Sequence, residues 1–148
     1  PYLIEYNVRM GDPECQTILP LLENDFVEIL DNCINGTLEK IELTWKKKKS
    51  ICVVLTSKGY PDKFEKNILI KNLENLKYNE EQYIFHAGTR FAEGKIYSNG
   101  GRVLNFVSLD KNLKNARART INLINDLKWD KGYFRKDIGY KFIDKKWE

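Results

Sequence analysis

Five consecutive apolar residues, Ile51-Cys52-Val53-Val54-Leu55, constrain this chain more than any other stretch. An unbroken apolar run of that length is too short for a buried helix and reads as a central strand covered on both faces. The run 112–127 offers a helical layer. Leu113, Ala116, Thr120, Leu123, Ile124 and Leu127 recur at helical spacing, with Asp110 or Asn112 at the start. Lys114, Arg117 and Arg119 fall on its other, solvated faces. Residues 102–107 are predicted to share a sheet with residues 51–55. A second stripe, Leu21, Leu22, Phe26, Ile29, Leu30 and Cys33, predicts a helix over 23–35. Asn24 or Asp25 can cap it, and Asn35-Gly36 can stop it in a left-handed turn. Cys33 is expected on its core face as a buried, inert thiol.

Shorter strands follow from alternation. Ile41, Leu43 and Trp45 alternate, Ile68-Leu69-Ile70 is a short apolar run, and Tyr83, Phe85, Ala87 and Thr89 alternate with Ile84, His86 and Gly88. Lys95–Ser98 and Arg102–Val107 flank Asn99-Gly100-Gly101, which predicts a hairpin because Asn and Gly tolerate positive φ. The same glycines with Arg102 could instead cradle a phosphate. Gly59-Tyr60-Pro61 reads as a rigid loop, with glycine for the turn and proline to fix the backbone. The fold class is α+β, mostly antiparallel sheet with one long helix.

At 148 residues the chain is long enough for a core of its own. With 42% hydrophobic and 31% charged residues it has the composition of a globular protein rather than a disordered one. A net charge of +4 is too small to demand a polyanionic partner. No apolar run approaches a membrane span, and no signal-peptide pattern opens the chain. Cys15, Cys33 and Cys52 form no Cys-x-x-Cys pair, which fits free thiols in a reducing cytoplasm.

Chemistry concentrates at the start, Glu5-Tyr6-Asn7-Val8-Arg9-Met10-Gly11-Asp12-Pro13-Glu14-Cys15-Gln16. The stretch opens as an apolar strand and ends at the breaker Gly11-Asp12-Pro13. Residues two apart share a face, so Glu5, Asn7 and Arg9 project to one side and Ile4, Tyr6 and Val8 to the other. Hard oxygen ligands suit Mg²⁺ shared with substrate phosphates. A guanidinium beside them suits a phosphate or carboxylate. The same alternation also describes any half-exposed strand with a solvated polar face.

The run Glu-x-Asn-x-Arg-x-Gly-Asp-Pro-Glu-x-Gln over 5–16 resembles the signature of the phosphoribosylamine–glycine ligase family, ATP-grasp ligases of purine synthesis. Met10 departs from the Phe or Leu usual there. Four later segments are similar to the family's in the same order: Gly59-Tyr60-Pro61, Phe85-His86-Ala87-Gly88-Thr89, Asn99-Gly100-Gly101-Arg102-Val103 and Arg135-x-Asp137-Ile138-Gly139, with Phe134 in place of Tyr. Asn67 stands where the family has a glycine after the Gly-Tyr-Pro loop.

That resemblance implies residues 1–45 as the end of an ATP-grasp domain and 46–148 as the C-terminal domain. It implies Glu5 and Asn7 as ligands of Mg²⁺ or Mn²⁺, and Arg9 as the catalytic group beside the transferring phosphoryl. It also implies ATP, glycine and 5-phosphoribosylamine as substrates. Asp12, Glu14 and Arg102 are candidate substrate contacts. His86, the only histidine, reads as a hydrogen-bonded structural residue. The chain begins at Pro1, on the edge of the motif strand, with no glycine-rich phosphate loop before it. A fragment of the enzyme, inactive alone and needing the N-terminal part, is therefore expected, with no membrane and no nucleic acid as partner. The competing class is a basic module that binds nucleic acid through Trp45, Lys46–Lys49, Arg117 and Arg119. Against it, the lysine run reads as a solvated connection between strands.

Overall fold

The computed structural model describes residues 1–6 and 8–143. Its centre is an antiparallel pair of long strands, β1 (Lys49–Ser57) and β6 (Arg102–Asp110). β3 (Gln82–His86) adds to the free edge of β6, and the two-residue β7 (Gly132–Tyr133) to that of β1, giving a sheet in the order β3-β6-β1-β7. A smaller antiparallel sheet has the order β2-β5-β4, from β2 (Ile68–Leu69), β4 (Thr89–Ala92) and β5 (Lys95–Ser98). The architecture is α+β, as the patterns predict.

The apolar run 51–55 lies at the heart of the larger sheet. Its two faces meet different layers. Ile51, Val53 and Leu55, with Leu104 and Phe106 across the ladder, pack under the long helix α3 (Leu113–Leu127). Ala116, Thr120, Leu123, Ile124 and Leu127 are the buried stripe of that helix. Fully burying a leucine-sized side chain stabilises by about 1.5–3 kcal/mol, so this stripe holds the helix to the sheet. Asn112 caps it: its side chain accepts from the Lys114 N–H at 2.8 Å. On the opposite face Cys52, Val107 and Leu109 pack with Leu21, Tyr83 and Phe85. The short helix α1 (Glu14–Ile18) lies on that side, in contact with β1 and β6.

Four readings from the sequence need correction. The opening residues form no strand among the described residues, and Tyr2, Leu3, Ile4, Tyr6 and Val8 are exposed, Val8 fully. Alternation supplies side-chain faces, but a strand also needs a neighbour to take its backbone hydrogen bonds. Ile41–Trp45 is likewise irregular. Leu38–Lys40 is a 3₁₀ turn, and only a single bridge joins Trp45 to Leu22. The Asn24 side chain holds this stretch, donating to the Glu42 carbonyl at 3.0 Å and accepting from the Thr44 N–H at 2.7 Å. Helix α2 (Phe26–Asn35) forms as predicted, capped by Asp25 and stopped by Gly36 at φ +66°. It covers no core, however; none of its residues is buried, and Cys33 is exposed.

The fourth correction bears on the site. Residues 95–98 and 102–107 are not a hairpin. β5 pairs with β4 and β6 pairs with β3, so the four strands form one long antiparallel ribbon bent between the two sheets. At the bend Gly88 donates to the Arg102 carbonyl at 2.8 Å, and Asn99 donates to the Gly88 carbonyl at 2.7 Å. Neither Gly100 nor Gly101 takes a positive φ. The glycines serve close approach instead: a Cβ on Gly88 would lie 2.5 Å from the Arg102 oxygen and 2.7 Å from the Gly100 Cα. The true two-residue hairpin turn is Glu93-Gly94, with φ of +51° and +70°. In the Gly-Tyr-Pro loop, Gly59 has φ +100° and Asn67 has φ +59°, as the sequence leads one to expect.

Candidate functional site

The bend of the ribbon and the Gly-Asp-Pro breaker meet. Asp12 joins them. Its Oδ1 accepts from Gln16 Nε2 at 2.9 Å, one helical turn on, and from Asn105 Nδ2 at 3.4 Å. Arg102 reaches it from the ribbon, donating from Nη1 to the Asp12 backbone oxygen at 3.0 Å, with Nη2 3.3 Å from Oδ2. Asn105 is fully buried between Val54 and Phe85 on neighbouring strands, so the aspartate docks on a fixed floor. α1 starts directly after this anchor, and Cys15 donates its N–H to the Gly11 carbonyl at 2.9 Å.

Beside the anchor is an open polar cleft of about 460 Å³, lined by Arg9, Asp12, Gln16, His86 and Arg102 among others. Arg9 is exposed, its Nη1 donating to the neighbouring Met10 carbonyl at 2.9 Å. His86 ends β3, exposed, with Nδ1 2.9 Å from Thr89 Oγ1. Of the residues singled out from the sequence, Arg9, Asp12 and Arg102 thus come together. Glu14 is exposed on α1, and a Cβ on Gly11 would strike its carboxylate. Glu5 is exposed on the opening segment, and Asn7 lies outside the described residues. A carboxylate such as Glu5 has the hard oxygen chemistry that Mg²⁺ or Mn²⁺ prefers. Among the described residues no three His, Cys, Asp or Glu side chains gather into a metal site.

His86 is the residue that sequence reasoning set aside. It reads from the sequence as a hydrogen-bonded structural residue; the fold does bond it to Thr89, and also places it exposed in the lining of the cleft. Cys52 lies deep on the same side of the sheet. Burial, with the negative charge of Asp12 adding to it, pushes its thiol up to about 12.

A second, more apolar cavity of about 520 Å³ adjoins the anchor, lined by Pro13, Tyr60, Pro61, Arg102, Arg135 and Ile138 among others. Segments far apart in sequence converge there. Gly101 lies so close under the Tyr60 ring that a Cβ would overlap it. Arg135 forks onto Asp137 at 3.1 and 2.6 Å, which holds the Asp137 carboxyl below its usual range. Arg117, expected to be solvated, instead pins this closing segment from α3, donating to the Ile138 carbonyl at 2.8 Å and to the Lys136 carbonyl. Arg119 approaches Asp110 at 3.4 Å, and Lys48 pairs with Glu81. Arg117 and Arg119, both on α3, and Lys48 are thus each engaged by a local partner. No helix among the described residues is long and apolar enough to cross a membrane.

Residues 50–141 match the family described as "Phosphoribosylglycinamide synthetase, C domain". The phosphoribosylamine–glycine ligase of Caldanaerobacter subterraneus is 44% identical over 138 residues, covering 93% of this chain and 32% of that protein. A bifunctional purine biosynthetic protein of Dictyostelium discoideum is 41% identical over 143 residues, 96% of this chain and 18% of its own length. The crystal structure of phosphoribosylamine–glycine ligase from Thermotoga maritima superposes with a TM-score of 0.67 at 31% identity, over 93% of this chain and 33% of that one. The chain therefore spans about a third of the length of the bacterial ligases it matches. Together the match over 50–141, the shared α+β fold and the ordered segments around the cleft establish that this chain belongs to the phosphoribosylglycinamide synthetase C-domain family.

Proposed function

We propose that this chain is the C-terminal part of an ATP-dependent ligase that joins glycine to 5-phosphoribosylamine. The observation that carries the reading is its identity to a phosphoribosylamine–glycine ligase over nearly its whole length. The meeting of Arg9, Asp12 and Arg102 at one cleft agrees with it. In the reaction a glycine carboxylate oxygen attacks the γ-phosphorus of ATP, ADP leaves, and glycyl phosphate results. The amine of phosphoribosylamine then attacks the acyl carbon, phosphate leaves with the bonding pair, and the amine gives up a proton. Such chemistry depends on positioning and on neutralising charge on the transferring group.

Arg9 supplies an exposed guanidinium for that charge. Asp12 and Arg102, locked together, set the cleft wall against which the amino sugar is oriented, with Glu14 at its rim. Glu5 and Asn7 would hold Mg²⁺ or Mn²⁺, an ion that neutralises phosphate charge when bound. Residues 1–45, which lie outside the matched region 50–141, would be the end of the ATP-grasp domain, and the N-terminal part of the enzyme its necessary partner. The apolar side chains of residues 2–8 and of α2 suit such a neighbour. The place of action would be the cytoplasm, consistent with three free thiols.

The test joins this chain to the N-terminal two thirds of the Caldanaerobacter ligase. The joined protein should release ADP only with glycine and phosphoribosylamine both present, while the 148-residue chain alone should not turn over ATP. A folded, monodisperse joined protein without ligation, or turnover by the chain alone, would overturn the reading.

A further inference from the structure

We infer that His86 is a ligand-binding residue, the donor that receives a phosphate monoester in the cleft beside Arg102. The inference rests on the ligase reading only for the name of the natural ligand, the 5-phosphate of the amino sugar. The site itself rests on geometry.

His86 is exposed at the end of β3, although the residues before it in the strand are half-buried. Its Nδ1 is engaged by Thr89 Oγ1 at 2.9 Å, across the glycine bend. When the Thr89 hydroxyl donates to Nδ1, the neutral ring carries its proton on Nε2. When the ring is protonated, Nδ1–H donates to Thr89 and Nε2 again bears hydrogen. In both of these forms Nε2–H is a donor for an anion; only the neutral ring with Nδ1–H donating to Thr89 leaves Nε2 an acceptor, and a bound anion selects against it. The ring is held without being used up.

Its surroundings suit an anion. Arg9 and Arg102 line the same cleft. Asp12 is the acidic group at this wall, and its oxygens already accept from Gln16, Asn105 and Arg102. With that charge compensated by Arg102, the exposed Arg9 is the guanidinium left to meet an anion, opposed by the Glu14 carboxylate beside Gly11 at the rim. The wall is also rigid, because Gly88 and Gly100 bring the two backbones of the bend together with no room for a side chain. Preorganised donors cost little ordering on binding, which favours a small dianion. His86 is exposed, with one nitrogen held from behind.

The sole histidine gives an unambiguous probe, because its imidazole resonances belong to one residue. The 148-residue chain is titrated at fixed pH and ionic strength with ribose 5-phosphate, with ribose and with inorganic phosphate, against chloride as the reference anion. The expected result is a saturable shift of the His86 ring signals with ribose 5-phosphate and none with ribose. Inorganic phosphate acting as well as ribose 5-phosphate would assign the site to the phosphoryl group alone, and weaker action would add a sugar contact; both uphold it. His86→Asn, followed through the phosphorus signal of ribose 5-phosphate, should bind about tenfold more weakly, the loss of one charge-assisted hydrogen bond. No saturable shift, an equal shift with ribose, or unchanged affinity in a folded His86→Asn would overturn the inference. Failure of the ligation test with a positive titration would remove the enzyme reading and leave the phosphate site standing.

Discussion

At the scale of single residues, environment rather than residue type decides chemistry. The three cysteines illustrate it. Cys33 is exposed on α2, Cys15 is half-buried, and Cys52 is buried beneath the Asp12 anchor. Burial raises the Cys52 thiol from 9.0 to about 12, so it is neutral in the fold wherever an unfolded thiol would ionise. Its stabilising contribution is therefore complete below about pH 9 and is lost as the pH rises from 9 towards 12. Thiol titration of the native chain at pH 8 should modify Cys33 first and leave Cys52 unmodified until unfolding; early labelling of Cys52 would contradict the packing. The sequence allowed three free thiols but could not rank them, because Cys33 shares the apolar stripe of a helix that buries none of its residues. The candidate site was legible in a similarly partial way. Arg9, Asp12 and Arg102 were singled out and Gln16 closed the motif without a role, whereas Asn105, which with Gln16 fixes Asp12, is an ordinary polar residue until the fold brings it within hydrogen-bond distance.

At the scale of elements, local periodicity predicted what long-range pairing then modified. The helix predicted over 112–127 and the strand predicted over 51–55 carry their patterns in their own residues; the helix forms as Leu113–Leu127, and the strand forms and runs two residues further at each end, Lys49–Ser57. The opening strand and the strand at 41–45 fail because alternation does not supply a pairing edge. The Asn99-Gly100-Gly101 turn was misread for a further reason. Glycine serves both tight turns and close backbone approach, and here it serves the second. The prediction belongs to Gly88. Gly88→Ala forces a methyl against the Arg102 carbonyl and the Gly100 Cα, and should cost about 1–3 kcal/mol in denaturant unfolding. Gly94→Ala meets no atom within 4 Å, and should cost only the strain of its φ of +70°. A Gly88→Ala variant as stable as the parent would mean that the ribbon does not bend there as described.

At the scale of the whole molecule, the packed core and the opening third of the chain differ in burial. Its core is built between α3 and the sheet, while α2 and the opening residues leave apolar side chains in the open. The lysine run leads into β1: Lys46 and Lys48 are half-buried, Lys48 pairs with Glu81, and Lys49 begins the strand. Replacing Lys46–Lys49 by serine should leave ligation by the joined enzyme unchanged, and salt-sensitive oligonucleotide binding abolished by that change would favour the nucleic-acid class instead. The central claim is that the opening segment brings metal and phosphoryl chemistry to the ligase. The measurement that tests it most directly is the Mg²⁺ dependence of glycine ligation in the joined enzyme carrying Glu5→Gln or Asn7→Ala. The account predicts a large loss of kcat in both, with a raised Mg²⁺ requirement and unchanged folding stability. Unchanged rates and an unchanged Mg²⁺ dependence in both variants would contradict it.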